Sequence, residues 1–300
     1  MKKFLPALIL LYFSGTLEAQ KKNESFRLNN RKTTGAIVID GNGDDPAWKD
    51  TDVAKDYFMV LPMEEGPAKE QSEIRMTYDD MNFYLLATFY HSGPAKYTVE
   101  SLRRDFAFGK NDNFLLFLDP FNNQTTGFSF GANAYGAQWD GTMFNGSSID
   151  LNWDSKWISE SSHDDEKWVF EMAVPFKSVR YEEGVGEWGI NFGRLDLKSS
   201  EKSSWTPVPR QFPTSSMAYN GTLVWDTPPP KPRMNFSVIP YVLGEVTQDK
   251  ANNGEAQYEP KIGGDIKFSL TPSLNLDVTV NPDFSQVEVD RQITNLDRFE

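Results

Sequence analysis

The 300-residue chain has no cysteine and only two histidines, His91 and His163, far apart in sequence. Without cysteine there is no disulfide framework and no thiolate metal site. Two lone imidazoles argue against a zinc centre of the usual kind. Basic clusters are missing too: 30 Lys and Arg face 43 Asp and Glu, a net charge of -13. Such a chain repels phosphate backbones, which excludes nucleic acid as an expected partner. Helical periodicity is nearly absent, and no internal repeat is found. No Gly-x-Ser-x-Gly elbow, paired-histidine metal motif or phosphate-cradling glycine loop occurs. Past the first residues no apolar run is long enough for a transmembrane helix.

What is present starts at the amino terminus. Lys2 and Lys3 precede an apolar stretch from Phe4 to Phe13, and Glu18-Ala19 follows. This is the charged, apolar and small-residue layout of a cleavable secretory signal over residues 1–19. Ten apolar residues are too few to cross a bilayer core, which needs about 20. Cleavage after Ala19 leaves Gln20 first and a net charge near -14; no Cys follows the cut, so a lipoprotein anchor is not expected.

The remaining signal is period-two alternation and turn chemistry. Ile74, Met76 and Tyr78 alternate with Glu73, Arg75 and Thr77, and an Asp79-Asp80-Met81-Asn82 turn leads to a strand at Phe83–Tyr90. Phe114–Leu118 is a continuous apolar run, the pattern of a strand covered on both faces. Phe128 and Phe130 lie in another strand, with further strands at Trp168–Val174 and Glu187–Leu195. Many short strands with Gly, Asn and Asp turns predict an all-β, antiparallel, jelly-roll-like sandwich. A leader over 20–35 precedes it, the sandwich spans 36–226, and a Pro-rich linker covers 227–232. Beyond the linker, Ile266, Phe268 and Leu270 oppose Asp265, Lys267, Ser269 and Thr271. After Pro272-Ser273, Leu274, Leu276, Val278 and Val280 oppose Asn275, Asp277 and Thr279. A membrane-barrel hairpin needs this pattern, and so does a half-buried soluble hairpin. Two strands cannot close a barrel, so the barrel reading of 233–300 implies a polypeptide that continues past Glu300.

Four segments in order resemble the family 9 carbohydrate-binding module. They are Ile37-Val38-Ile39-Asp40-Gly41 with Asp44-Asp45-Pro46-Ala47-Trp48, then Tyr78–Leu85, Asn111–Asp119, and Trp168–Phe176 continuing to Gly189–Arg194. The first implies a strand, a turn and a short helix, with Asp45 suited to cap it and Pro46 to its first position. The tail, Asn281-Pro282-Asp283-Phe284-Ser285-Gln286-Val287-Glu288, resembles the start of an uncharacterised bacterial outer-membrane β-barrel domain.

The resemblance implies an oligosaccharide or polysaccharide partner, a terminal sugar held between two aromatics, and polar groups at its edge. Phe108 or Phe106 stands where sugar-binding relatives carry Trp, and Trp205 is the second slab. Arg104, Asp112, Asn191 and Arg210 are candidates for the rim, and Trp139 is a further loop candidate. Asp40, Asn42 and Asp44 have the alternate spacing of a calcium loop. The EF-hand pattern fails, with Asp45 at its sixth position and Thr51 at its twelfth. A structural calcium site of simpler kind is the one cofactor the resemblance suggests. The expected role is glycan capture or carbohydrate catabolism at the outer membrane of a Gram-negative cell envelope. Two alternatives stand: a plug or docking module of a barrel without sugar binding, and an O-glycosyl hydrolase. The 42 mature acidic residues offer too many carboxylate pairs to single out a catalytic one.

Overall fold

A computed structural model describes residues 22–64, 66–93, 97–231, 236–247, 257–271 and 274–281. The secretory segment and the 282–288 part of the barrel-like motif lie outside them. Strands carry 17 labels in chain order. The first seven are β1 (Arg27–Lys32), β2 (Val53–Ala54), β3 (Phe58–Leu61), β4 (Ser72–Tyr78), β5 (Asn82–Tyr90), β6 (Asn113–Asp119) and β7 (Gly127–Asn133). Next come β8 (Gln138–Phe144), β9 (Ser148–Asp150), β10 (Ile158–His163), β11 (Lys167–Pro175), β12 (Glu187–Asp196), β13 (Glu201–Ser204) and β14 (Gly221–Trp225). The last three, β15 (Phe236–Thr247), β16 (Gln257–Thr271) and β17 (Leu274–Val280), form a separate sheet.

The turns form for local reasons. Asp79 Oδ1 accepts the backbone N–H of both Met81 and Asn82 at 2.7 Å, closing the β4–β5 hairpin. Asp164 does the same for Glu166 and Lys167 between β10 and β11, each at 2.8 Å. A short side-chain acceptor that mimics a backbone turn makes Asp the residue of choice here.

One connected sheet of fourteen strands runs β10-β11-β5-β4-β1-β14-β12-β6-β7-β8-β9, with β2, β3 and β13 attached at its side. Its two halves fold face to face. Phe89 of β5 meets Phe114 of β6 at 5.1 Å, Phe170 of β11 meets Phe114 at 6.1 Å, and Phe83 meets Phe130 at 6.4 Å. Every residue of β6 is buried, because each half is also covered from outside. Leu115 and Phe117 point away from the sandwich core into a second apolar layer with Phe106, Trp139, Met143 and Met217. On the other half, Trp48, Ile37 and Ile39 cover Tyr84, Leu86, Val169 and Ala173.

Three expectations are corrected. The leader is not a leader: β1 lies inside the sheet, parallel to β14 over Arg27–Asn30 and to β4 over Arg31–Lys32. Ile37–Ile39 is not a strand. Pro46–Trp48 is a single 3-10 turn with Pro at its start, but Asp45 does not cap it. The Asp45 carboxylate instead accepts the Val38 N–H at 2.9 Å.

The chain divides into two compact units, one of Met1–Pro175 with Val185–Pro229 and one of Phe176–Gly184 with Pro230–Glu300. The Pro-rich segment is tied down rather than free. In the first unit the Tyr78 hydroxyl donates to the Thr227 carbonyl at 3.0 Å. In the second, the Tyr181 hydroxyl donates to the Pro230 carbonyl at 2.6 Å, and Lys231 pairs with Glu183 at 3.2 Å. The β15-β16-β17 sheet is antiparallel, in register Val238↔Ile266↔Val278. Even-numbered positions therefore share one face, where Val242, Val246, Tyr258, Ile262, Leu276 and Val280 are exposed. No helix among the described residues is long and apolar enough to cross a membrane.

Candidate functional site

Asn111, Asp112 and Asn113 open β6 and are all buried. The Asp112 carboxylate accepts the N–H of Thr98 and, at 2.6 Å, of Leu197. Asn111 accepts from Glu100 at 2.8 Å and donates to the Ala107 carbonyl at 2.8 Å, while Asn113 donates to the Phe108 carbonyl at 2.8 Å. The three side chains hold the 98–110 loop against the sheet. Burial pushes the Asp112 carboxyl up from its ordinary range, and the N–H groups of Leu197 and Thr98 oppose the shift. Asp112 is a loop clamp, not a rim residue.

The loop delivers Phe106 into the outer layer, where it meets Trp139; Phe108 is half-buried beside them. Three aromatic candidates are thus brought together, but they fill one another's space. Lys202 Nζ sits 5.2 Å over the Phe108 ring, a cation–π contact. Trp205 is also inside, edge-on to Phe26 at 5.8 Å and tilted against Phe192 at 5.7 Å. Asn191 is fully buried, its Oδ1 accepting the N–H of Thr206 at 3.1 Å and of Phe192 at 2.9 Å. Trp205, Phe106, Trp139, Asp112 and Asn191, all candidates for ligand contact, are buried and serve as packing and anchoring residues. Trp205 sits just past β13, where no periodicity says which way an indole points, and Trp139, expected in a loop, lies within β8.

Arg104 stays at the surface and draws several groups together. It pairs with Asp140, with Asp154 at 3.0 Å, and donates to Gln138 Oε1 and the Ser155 carbonyl at 2.9 Å each. Asp140 is fully buried, and burial pushes its carboxyl up to about 6, against the Ser155 N–H and Arg104. Because the folded value lies above the unfolded one, the native state holds the extra proton between about pH 4 and 6. Asp140 therefore favours the fold below that window and opposes it above. Asp140→Asn, which does not titrate, should gain stability relative to the parent as pH rises from 4 to 7, by about 3 kcal/mol at most. Urea unfolding at both pH values measures this; a pH-independent difference would refute it.

Asp40, Asn42 and Asp44 lie on the segment over β11. The Asp40 carboxylate accepts the Asn42 N–H at 2.9 Å, an ordinary turn. Among the described residues no group of three His, Cys, Asp or Glu is placed to hold a metal ion.

A concave feature lies elsewhere. Gly66, at φ +83°, turns the chain after β3, and Met59 donates back to its carbonyl at 3.2 Å. This turn and the 207–219 loop wall a cleft of about 280 Å³, lined by Phe58, Met59, Pro207, Val208, Pro209 and Tyr219. Asn23 ties the second wall, donating to the carbonyls of Tyr219 at 2.6 Å and Pro207 at 3.2 Å. Lys22 and Glu64 also line it. Lys22 Nζ bonds the Tyr219 hydroxyl at 3.0 Å and lies 4.5 Å over its ring. Glu64 accepts the Arg210 N–H at 2.9 Å, which places that candidate beside the cleft. Phe212, partly exposed, packs on Tyr219 at 5.1 Å. The volume is near the lower end for small-molecule sites, about 300–1,000 Å³. Sequence alone missed Lys22, Phe58, Glu64 and Tyr219; the paired prolines at 207 and 209 were the one hint of a shaped loop.

The fold is a face-to-face β-sandwich with a small, partly aromatic cleft at its side. The chain belongs to the carbohydrate family 9 binding domain-like family, whose model matches residues 39–211. Residues 230–300 match a domain of unknown function (DUF5916). A candidate carbohydrate-binding protein from Bacteroides uniformis superposes with a TM-score of 0.54 at 15% identity, over 67% of this chain and 99% of that one. A family 9 carbohydrate-binding module from Caldicellulosiruptor kristjanssonii was solved with cellotriose and with glucose. The cellotriose complex gives a TM-score of 0.48 at 13% identity, over 67% of this chain and 94% of that one. The glucose complex gives 0.49 at 13%, over 67% and 96%. No curated protein matches the chain.

Proposed function

We propose that the chain is an exported glycan-binding module whose cleft takes a terminal sugar ring, and that the strands after it begin an outer-membrane barrel. The observation carrying the first part is the cleft, in a module of a carbohydrate-binding family. The apolar face of a pyranose fits Phe58 and the edge of Tyr219, while Lys22 donates to and Glu64 accepts from its hydroxyls. For the second part, the β15-β16-β17 sheet supports the reading. Its strands of 12, 15 and 7 residues carry apolar side chains on one face. A transmembrane strand needs about 9–11 residues with this alternation.

Calorimetry of the intact chain with a panel of mono- and oligosaccharides, glucose and cellotriose included, tests the cleft. At least one sugar should bind at millimolar concentration or tighter, and Phe58→Ala should weaken it about tenfold, or about 1.4 kcal/mol. No binder, or an unchanged affinity in the variant, sinks the sugar reading; recovery of the protein in the soluble periplasmic fraction sinks the barrel. A second reading, a docking module without sugar binding, draws on the sealed apolar layer around Phe106 and Trp139. It predicts no sugar binder at all.

A further inference from the structure

The only two histidines of the sequence, distant along the chain, meet around one ring. His91 at the end of β5 packs edge-on to Tyr97 at 5.5 Å, and His163 at the end of β10 does so from the other side at 5.6 Å. His163 is edge-on to Tyr135 at 5.0 Å. Four rings therefore form a row across one end of the sandwich, brought there by three separate segments. Its inner part is closed, with the Tyr97 hydroxyl and His91 Nε2 buried and unpartnered among the described residues. Its outer part is open: Tyr135 is 50% exposed and His163 is exposed.

Tyr135 is held in place rather than loosely displayed. The buried Asn133 side chain accepts the N–H of Tyr135 at 3.1 Å and of Ala137 at 3.0 Å, and donates to the Ser101 carbonyl at 2.8 Å. The turn lies against β10, where a Cβ at Gly136 would meet the Ser161 side chain at an ordinary contact distance of 3.4 Å. From the turn, polar groups continue along the same seam. Gln138 donates to Ser159 Oγ at 3.0 Å, and Arg104 joins Gln138 to Asp154. An aromatic ring, an imidazole, a planar amide and a guanidinium thus follow one another along an open surface.

We propose that this seam is a second carbohydrate surface, which takes an internal stretch of a polysaccharide where the cleft takes an end. It rests on the reading of the module as a sugar binder. Tyr135 and His163 are exposed, and the groups of the seam are spread along a line, which suits a stretch of chain better than an end. Sugar C–H faces lie on Tyr135, and hydroxyls reach His163, Gln138 and Arg104. The turn is fixed beforehand by Asn133, so little ordering is lost on binding.

Native affinity gels of the intact chain with xylan, mixed-linkage β-glucan and pullulan test it, beside cellotriose calorimetry. At least one polysaccharide should retard the protein. Tyr135→Ala should weaken that retardation about tenfold, Tyr135→Phe should retain it, and neither should alter cellotriose binding. Retardation by none of the three, retardation untouched by both Tyr135→Ala and His163→Ala, or an equal loss of cellotriose binding in Tyr135→Ala overturns the seam. Phe58→Ala separates the two sites: a loss of cellotriose binding with polysaccharide retardation kept strikes the cleft alone and supports the seam.

Discussion

Glu171→Ala is expected to cost the sandwich about 3–5 kcal/mol of unfolding free energy. Glu171 sits in the middle of β11 with no solvent exposure, facing outward from the core under the 37–48 segment. One carboxylate oxygen accepts the N–H of Asp40 at 3.1 Å and of Gly41 at 2.8 Å; the other accepts the Trp48 indole N–H at 3.1 Å. Burial raises its carboxyl above the usual range, and these three donors oppose that rise. Alanine would leave the Gly41 N–H and the Trp48 indole N–H buried without an acceptor, remove the part-buried bond from Asp40 and open space beneath Trp48. The segment is otherwise held by apolar contacts of Ile37, Ile39 and Trp48. A single domain has about 5–15 kcal/mol in total, so the loss is a large share. Glu171→Gln keeps the shape and one acceptor oxygen, and should cost about 1–2 kcal/mol. Urea unfolding followed by tryptophan fluorescence measures both; a change below about 1 kcal/mol for alanine would show that the segment is held by its apolar contacts alone.

Removing residues 22–32 is expected to abolish cooperative unfolding altogether. The family match begins at residue 39, which makes such a truncation look harmless. The sheet says otherwise. β1 pairs with β14 through four residues and with β4 through two, so it is the strand through which one half of the sandwich is hydrogen-bonded to the other. Without it, backbone groups of β4 and β14 that are buried in the interior lose their partners. The core loses Leu28, and the 207–219 wall loses the two bonds from Asn23. Together these losses are large against the roughly 5–15 kcal/mol by which a domain is stable. Cleavage of a secretory signal after Ala19 would spare the strand. A truncated protein that still melts in a single sharp transition, by circular dichroism, would show the two halves to be independent.

Much of this architecture is legible locally. Alternation of period two marks β4 and β11, because a strand turns successive side chains to opposite faces whatever surrounds it. Asp79 and Asp164 mark their turns because each bonds backbone within three residues of itself. The unbroken apolar run in β6 correctly announces two covered faces, though not what covers them. β1 reads as a polar leader, Arg-Leu-Asn-Asn-Arg-Lys, because only Leu28 and Asn30 point inward.

The site is another matter. Lys22 meets Tyr219 across 197 positions, Glu171 meets Asp40 across 131, and His91 and His163 meet only through Tyr97. No window of sequence contains both partners of such a contact. The amino-acid sequence by itself determined an all-β chain, its turns and a change of character after the prolines, because those follow from backbone geometry within a few residues. The tertiary structure alone decided that Trp205 and Trp139 are packed away, that β1 joins the two half-sheets, and that Phe58 and Tyr219 share a cleft. Those outcomes depend on which faces are covered once strands distant in sequence have paired.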